Sequence, residues 1–187
     1  MQRRKLLQSG MALAAVLAAN AHAQADKATQ QAEIKTKAMQ ALQDFYKADP
    51  KLKAAVESAP GFAVFTTYGL SFGVGGAGGK GLARNNKTKS DVYMSIAQAS
   101  AGLQIGASDT RYLFVFNDAK ALNDFIEKGW DASAGAGAGA GTGASAANVK
   151  AGAGGFTGGR QYALTKAGLQ VGAAVAGTKA WKDKDLN

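Results

Sequence analysis

The stretch Ala59-Pro60-Gly61-Phe62-Ala63-Val64-Phe65-Thr66-Thr67-Tyr68 is where the chain changes its hydrophobic period. Before it, Ile34, Ala38, Ala41, Leu42 and Phe45 recur at helical spacing, one apolar face of an amphipathic helix over about 25–47. Asp49-Pro50 reads as an N-cap followed by proline at the first helical position, restarting a second helix over 50–58 with Leu52, Ala55 and Val56 on one side. Ala59-Pro60-Gly61 stops it, because the residue before a proline is pushed out of the helical region. After Gly61 the period falls to two and β-branched and aromatic residues take over, which predicts a strand at 62–68.

Working outward, further short strands are predicted at about 70–76, 79–84, 92–99, 101–107 and 111–116, with the polar run Arg84–Ser90 as a loop. Such spacing argues for antiparallel pairing. A third helix follows near 118–128: Asn117 or Asp118 can cap it, Leu122, Phe125 and Ile126 form its apolar face, and Gly129 stands where helices end. Ala134 to Gly141 alternates alanine and glycine, open to a flexible linker or to close-packed strands; the period of two favours strands. Strands are also expected at 160–164 and at Gly168–Gly177, the latter with Leu169, Val171, Ala173 and Val175 on one face. The fold class expected is α+β: an antiparallel, Gly-rich sheet, barrel-like or a sandwich, with two N-terminal helices and one helix near 118–128.

Residues 1–23 combine a basic start, an apolar run from Met11 to Ala19 and the small-x-small triplet Ala21-His22-Ala23, the pattern of a cleaved secretory signal. Arg3-Arg4 resembles a twin-arginine signal, and the apolar run falls short of the ~20 residues of a membrane span. The expectation is an exported, periplasmic protein, with a single domain at 24–187 that is helical over 25–58 and β-rich over 61–187. Losing Arg3, Arg4 and Lys5 lowers the formal charge from +9 to +6, so the mature chain stays basic. There is no cysteine for a disulfide or for lipid attachment, and His22 is the one histidine. A mature chain without His or Cys cannot build a Ser-His-Asp or Cys-His site or a Cys/His zinc site. Its carboxylates are scattered singly, so no enzyme activity, cofactor or metal is expected.

Gly73-Val74-Gly75-Gly76-Ala77-Gly78-Gly79-Lys80-Gly81 satisfies G-x-G-x-x-G through Gly73, Gly75 and Gly78, yet no helix opens inside it to receive a pyrophosphate. As a P-loop it fails at Val74, where glycine is required, and at Gly81, where a hydroxyl should bind magnesium. Close-packed backbone is the better reading of these glycines. Lys80 is the charged exception, and it lies near Arg84, Lys87 and Lys89 in sequence.

The series Ala59–Phe65, Gly79-Lys80-Gly81, Ala101–Ala107, Leu113–Phe116 with Ala121-Leu122 and Phe125, and Ala167-Gly168-Leu169 with Gly172 resembles the SYLF, or Ysc-type actin-binding, domain over nearly all of the mature chain. The resemblance implies a lipid-binding module; eukaryotic relatives bind phosphoinositide membranes, some bind actin filaments, and basic N-terminal sequence contributes to their membrane contact. Ala176-Gly177 stands where relatives often place an acidic residue before the glycine. That departure and the bacterial type of signal weigh against actin as the natural partner.

The resulting expectation is binding of an anionic phospholipid, a membrane surface or another acidic envelope component through Lys80, Arg84, Lys87, Lys89, Lys35 and Lys37, with Lys47, Lys51 and Lys53 adding charge. Each lysine close to an anionic bilayer contributes on the order of 1 kcal/mol, so several must act together. The alternative is a structural, self-associating envelope protein built on the small-residue strands. Nucleic acid is not expected, because the aromatics are not interleaved with the basic cluster.

Overall fold

A computed structural model describes residues 2–132, 158–166, 168–171 and 178–187; over 2–23, 69–75 and 99–108 it describes the backbone. The alternating run Ala134–Gly141 and the 172–177 part of the expected last strand lie outside the described residues. The helices are α1 (Gln2–Ala48), α2 (Lys51–Ser58) and α3 (Ala119–Lys128). The strands are β1 (Gly61–Asn85), β2 (Asp91–Phe116), β3 (Trp130–Asp131), β4 (Gly159–Thr165), β5 (Gly168–Val171) and β6 (Thr178–Lys182).

Where the sequence predicts a helix from about 25, α1 starts at Gln2, so the apolar leader and the amphipathic segment form one helix. No helix among the described residues is long and apolar enough to cross a membrane. At the restart, Pro50 occupies the cap position itself, while the Asp49 carboxylate accepts from the Lys51 amide at 3.0 Å. The third helix keeps its predicted ends: Asp118 Oδ1 accepts from the Ala121 amide at 2.8 Å, and Gly129 closes the helix at φ 74°.

Between 62 and 116 the six predicted short strands are two long ones of 25 and 26 residues. The intervals left between those short strands within each long one lie inside a continuous antiparallel ladder from Phe62↔Val115 to Arg84↔Asp91. The ladder slips once, between Phe72↔Ile105 and Val74↔Ala101, where three residues of β2 stand opposite Gly73. Here the ribbon folds back on itself. A Cβ on Gly79 would lie 2.0 Å from the Thr66 carbonyl oxygen, on Gly81 2.1 Å from that of Val64, and on Gly61 2.3 Å from that of Arg84. The two halves of β1 therefore run side by side in constant antiparallel offset, at a spacing that a side chain would prevent. The Asn86 amide extends this pairing to the Pro60 carbonyl at 2.9 Å.

Of the six strands among the described residues, β2 is the central one. Its first half pairs with β6 (Met94↔Lys182 to Gln98↔Thr178) and its second half with β4 (Arg111↔Leu164 to Phe116↔Gly159). Counting the halves of β1 and β2 separately, the result is an eight-segment, antiparallel, curled half-barrel, so the fold is α+β.

Alternation sends successive residues to opposite faces, and both faces are covered. Ala63, Phe65, Met94, Ile96, Tyr112, Phe114 and Phe116 point inward to Leu122, Phe125 and Ile126 of α3. Phe114 meets Phe125 and Trp130 at centroid distances of 5.1 Å, and Phe65 meets Phe114 edge-on at 5.9 Å. Phe62, Val64, Leu82, Leu113, Val115 and Tyr162 point outward to Ala38, Ala41, Leu42 and Phe45 of α1 and to Leu52 and Val56 of α2. Each such large apolar side chain contributes roughly 1.5–3 kcal/mol on burial. Of the predicted β5 face, Leu169 packs against this outer cluster, but Val171 is 61% exposed.

Candidate basic site on the outer face

The six predicted lysine and arginine positions fall into two kinds. Arg84, on the last turnward stretch of β1, forks onto Asp91 at the start of β2: Nε reaches Oδ1 at 2.5 Å and Nη2 reaches Oδ2 at 2.7 Å. Lys35 of α1 reaches the same carboxylate at 2.9 Å, fastening the helix to the ribbon. Burial pulls the Asp91 carboxyl upward, but hydrogen bonds from Arg84 and Lys35 outweigh it and hold the group below the ordinary carboxylate range. The hydrogen bond to Asp91 raises the Arg84 guanidinium in turn. These two cations are structural ties.

Lys80 is also engaged, with the buried carboxylate of Asp183, which accepts from Ser95 Oγ at 2.7 Å. The other Asp183 oxygen accepts from the amides of Asp185 and Leu186 at 3.1 and 3.3 Å. Burial raises this carboxyl, and the bonds from Lys80 and Ser95 more than reverse that, leaving it below its ordinary value. Asp183 thereby pins residues 183–187 across β2 and α1. Asn187 Nδ2 donates to the Tyr93 carbonyl at 2.8 Å, and Gln31 Nε2 donates to that of Leu186 at 2.7 Å. Half of the Lys80 side chain remains exposed, at 49%.

Lys87 and Lys89 lie in the turn joining β1 to β2 and are exposed, as is Lys37 on α1. The turn is rigidly made. Asn85 Oδ1 accepts from the amides of Lys87 and Thr88 at 2.9 and 3.1 Å, and Lys89 takes a left-handed φ of 59°. Asn86 Nδ2 ties the turn to the end of α2 through the carbonyls of Val56 and Ala59, at 2.7 and 2.9 Å. Exposed Lys51 and Lys53 of α2 thus belong to the same end of the molecule. Among the described residues none of Lys37, Lys51, Lys53, Lys87 and Lys89 is ion-paired; the carboxylates nearest in sequence to the α2 lysines are Asp49 and Glu57.

Sequence reasoning brought the right residue types to the turn but missed Asp91 and Asp183 as the partners that engage three of the six. It also missed β6, although Thr178 and Ala180 inward against Lys179 and Trp181 outward is a readable period of two. Among the described residues no group of three or more His, Cys, Asp or Glu side chains could hold a metal ion.

These elements define a small α+β domain whose helices are tied to the sheet through Asp91 and Asp183. Residues 97–187 match the family model Ysc84, described as Las17-binding protein actin regulator, and the chain belongs to this SYLF family. It is 30% identical over 154 residues to Beta cell expansion factor A of Aeromonas veronii, a match covering 82% of this chain and 57% of that protein. The chain thus matches little more than half of that relative's length.

Proposed function

We propose that the chain binds anionic phospholipid, or another acidic envelope component, through the basic outer side of the domain, without catalysing a reaction. The observation that carries this reading is that Lys37, Lys51, Lys53, Lys87 and Lys89 are exposed and make no ion pair among the described residues, held on α1, α2 and a well-braced turn. At on the order of 1 kcal/mol per lysine near an anionic bilayer, five positions supply useful affinity where one would not. Lys80, Arg84 and Lys35 contribute to the local potential while serving as internal ties. Membership of the SYLF family supports a binding domain of the lipid or actin type. The signal-like residues 1–23 support export, with the working form beginning near Gln24. The self-association alternative rests on Ala134–Gly141, outside the described residues, and is not carried further.

Co-sedimentation with vesicles of graded anionic content tests the proposal. Binding is expected to rise with the anionic fraction and to weaken with salt as the charges are screened. Equal binding to neutral and anionic vesicles at low salt would overturn it.

A further inference from the structure

Beyond the reach of α1, and beside the tail 183–187, the outer face of the sheet carries two exposed aromatics on either side of small residues. The register lines up Lys80, Ser95 and Trp181 in one row across β1, β2 and β6, and Gly78, Ala97 and Lys179 in the next row toward the bend. Tyr68 shares the outward alternation of Phe62 and Val64 and lies just past the point where Gly79 approaches Thr66, beside the Gly78 row. Tyr68 is 70% and Trp181 41% exposed. A Cβ added to Gly78 would meet nothing within 4 Å, so the lane between the two aromatics is open. Three strand spacings of about 4.8 Å across the sheet and one row along it separate them, with Gly78 and Ala97 as the floor between; Ser95, in the Trp181 row, is buried beneath the Asp183 carboxylate. The charged groups along the lane are two ion pairs, Lys80 with Asp183 and, at its far edge, Lys179 with Asp131 at 3.5 Å.

We propose that this lane is the face that seats on the lipid surface, with Tyr68 and Trp181 entering the boundary between headgroups and acyl chains. The inference rests on the lipid reading above and names the contact within it. Tyrosine and tryptophan have an apolar body and a polar tip, which is why they concentrate at membrane interfaces. A floor without side chains lets a flat surface approach between the two aromatics. The turn lysines supply long-range attraction; the lane supplies the anchor that distinguishes a bilayer from a soluble anion.

The test uses the full chain and vesicles of phosphatidylglycerol and phosphatidylcholine in equal parts, with brominated acyl chains as quencher. Tryptophan fluorescence is expected to be quenched in the wild type and to lose that quenching in Trp181→Phe, since Trp130 is packed against Phe114. Tyr68→Ser and Gly78→Glu are each expected to weaken vesicle binding about tenfold with an unchanged thermal midpoint. Vesicle binding without quenching, or with wild-type affinity in both variants, overturns this inference while the lipid reading stands. No vesicle binding by the wild type overturns both.

Discussion

The outer face of the sheet has two halves built on the same strands. Under α1 and α2, the outward positions are Phe62, Val64, Leu82, Leu113 and Val115, all buried. Past α1, the outward positions of the continuing strands are Tyr68, Gly78, Ala97 and Trp181, with Lys80 and Lys179 between them. The strand period is unchanged across the boundary; what changes is the size and polarity of the outward residue. A helix-covered sheet needs bulk to fill the space beneath the helix, whereas the half past α1 sets small residues, Gly78 and Ala97, between exposed aromatics. Glycine serves both halves, for opposite reasons. At Gly79 and Gly81 it lets the two halves of β1 touch, and at Gly78 it leaves space open to the outside.

The sharpest way to break this comparison is alanine at each kind of glycine. Gly81→Ala puts a methyl 2.1 Å from the Val64 carbonyl oxygen, and backbone cannot move aside cheaply; a loss of more than ~3 kcal/mol is expected in urea denaturation. Gly78→Ala meets nothing and is expected to stay within ~0.5 kcal/mol of wild type. Equal losses at the two positions would contradict the folded-ribbon geometry.

Smaller but still large is Asp91→Ala, which leaves the guanidinium of Arg84 and the ammonium of Lys35 without their shared carboxylate. Because Lys35 is half exposed, about 2 kcal/mol is expected, below the range for fully buried pairs. The pH dependence follows from the same groups. Asp91 and Asp183 have lowered folded values, so their stabilisation is complete above the ordinary carboxylate value of 3.8 and is lost as pH falls through the lowered values. The urea midpoint is expected to be flat from about pH 7 to 5 and to drop below about pH 4, a drop blunted in Asp91→Asn with Asp183→Asn. At the other extreme, burial pushes the Tyr112 hydroxyl up to about 12, so its contribution is complete below its ordinary 10.0 and is lost as pH rises from there toward about 12. The smallest effect on stability belongs to Lys87→Glu with Lys89→Glu, within ~0.5 kcal/mol, although the pair is expected to lower affinity for anionic vesicles several-fold.

Much of this architecture was legible in the sequence. The change of period at Gly61, the third helix with its Asp118 cap and Gly129 stop, and the rejection of a phosphate loop at Gly73–Gly81 all follow from local rules that the structure obeys. Helix boundaries, capping and strand alternation depend on neighbours in sequence. The merging of short strands into two long ones was not legible, because a glycine that ends a strand and a glycine that lets two strands touch look alike. The site was half legible for a related reason. Charge counts identify basic residues, but whether Lys80 is free depends on Asp183, 103 residues away, and no pattern in Lys182-Asp183-Lys184-Asp185-Leu186-Asn187 announces that contact.

The Asp183 latch also bears on the order of assembly. The β1–β2 ribbon can zip from its own turn, where Arg84 and Asp91 are seven residues apart, so its contacts carry a small loop-closure cost. The other edge of residues 94–98 waits for residues 178–182, which are made about 80 residues later in a chain synthesised from its N-terminus. Until then β2 presents an open edge to any strand that passes. Amides of β6 are therefore expected to gain protection after those of the β1–β2 ladder in pulsed hydrogen exchange during refolding. Simultaneous protection would show that the latch closes together with the ribbon.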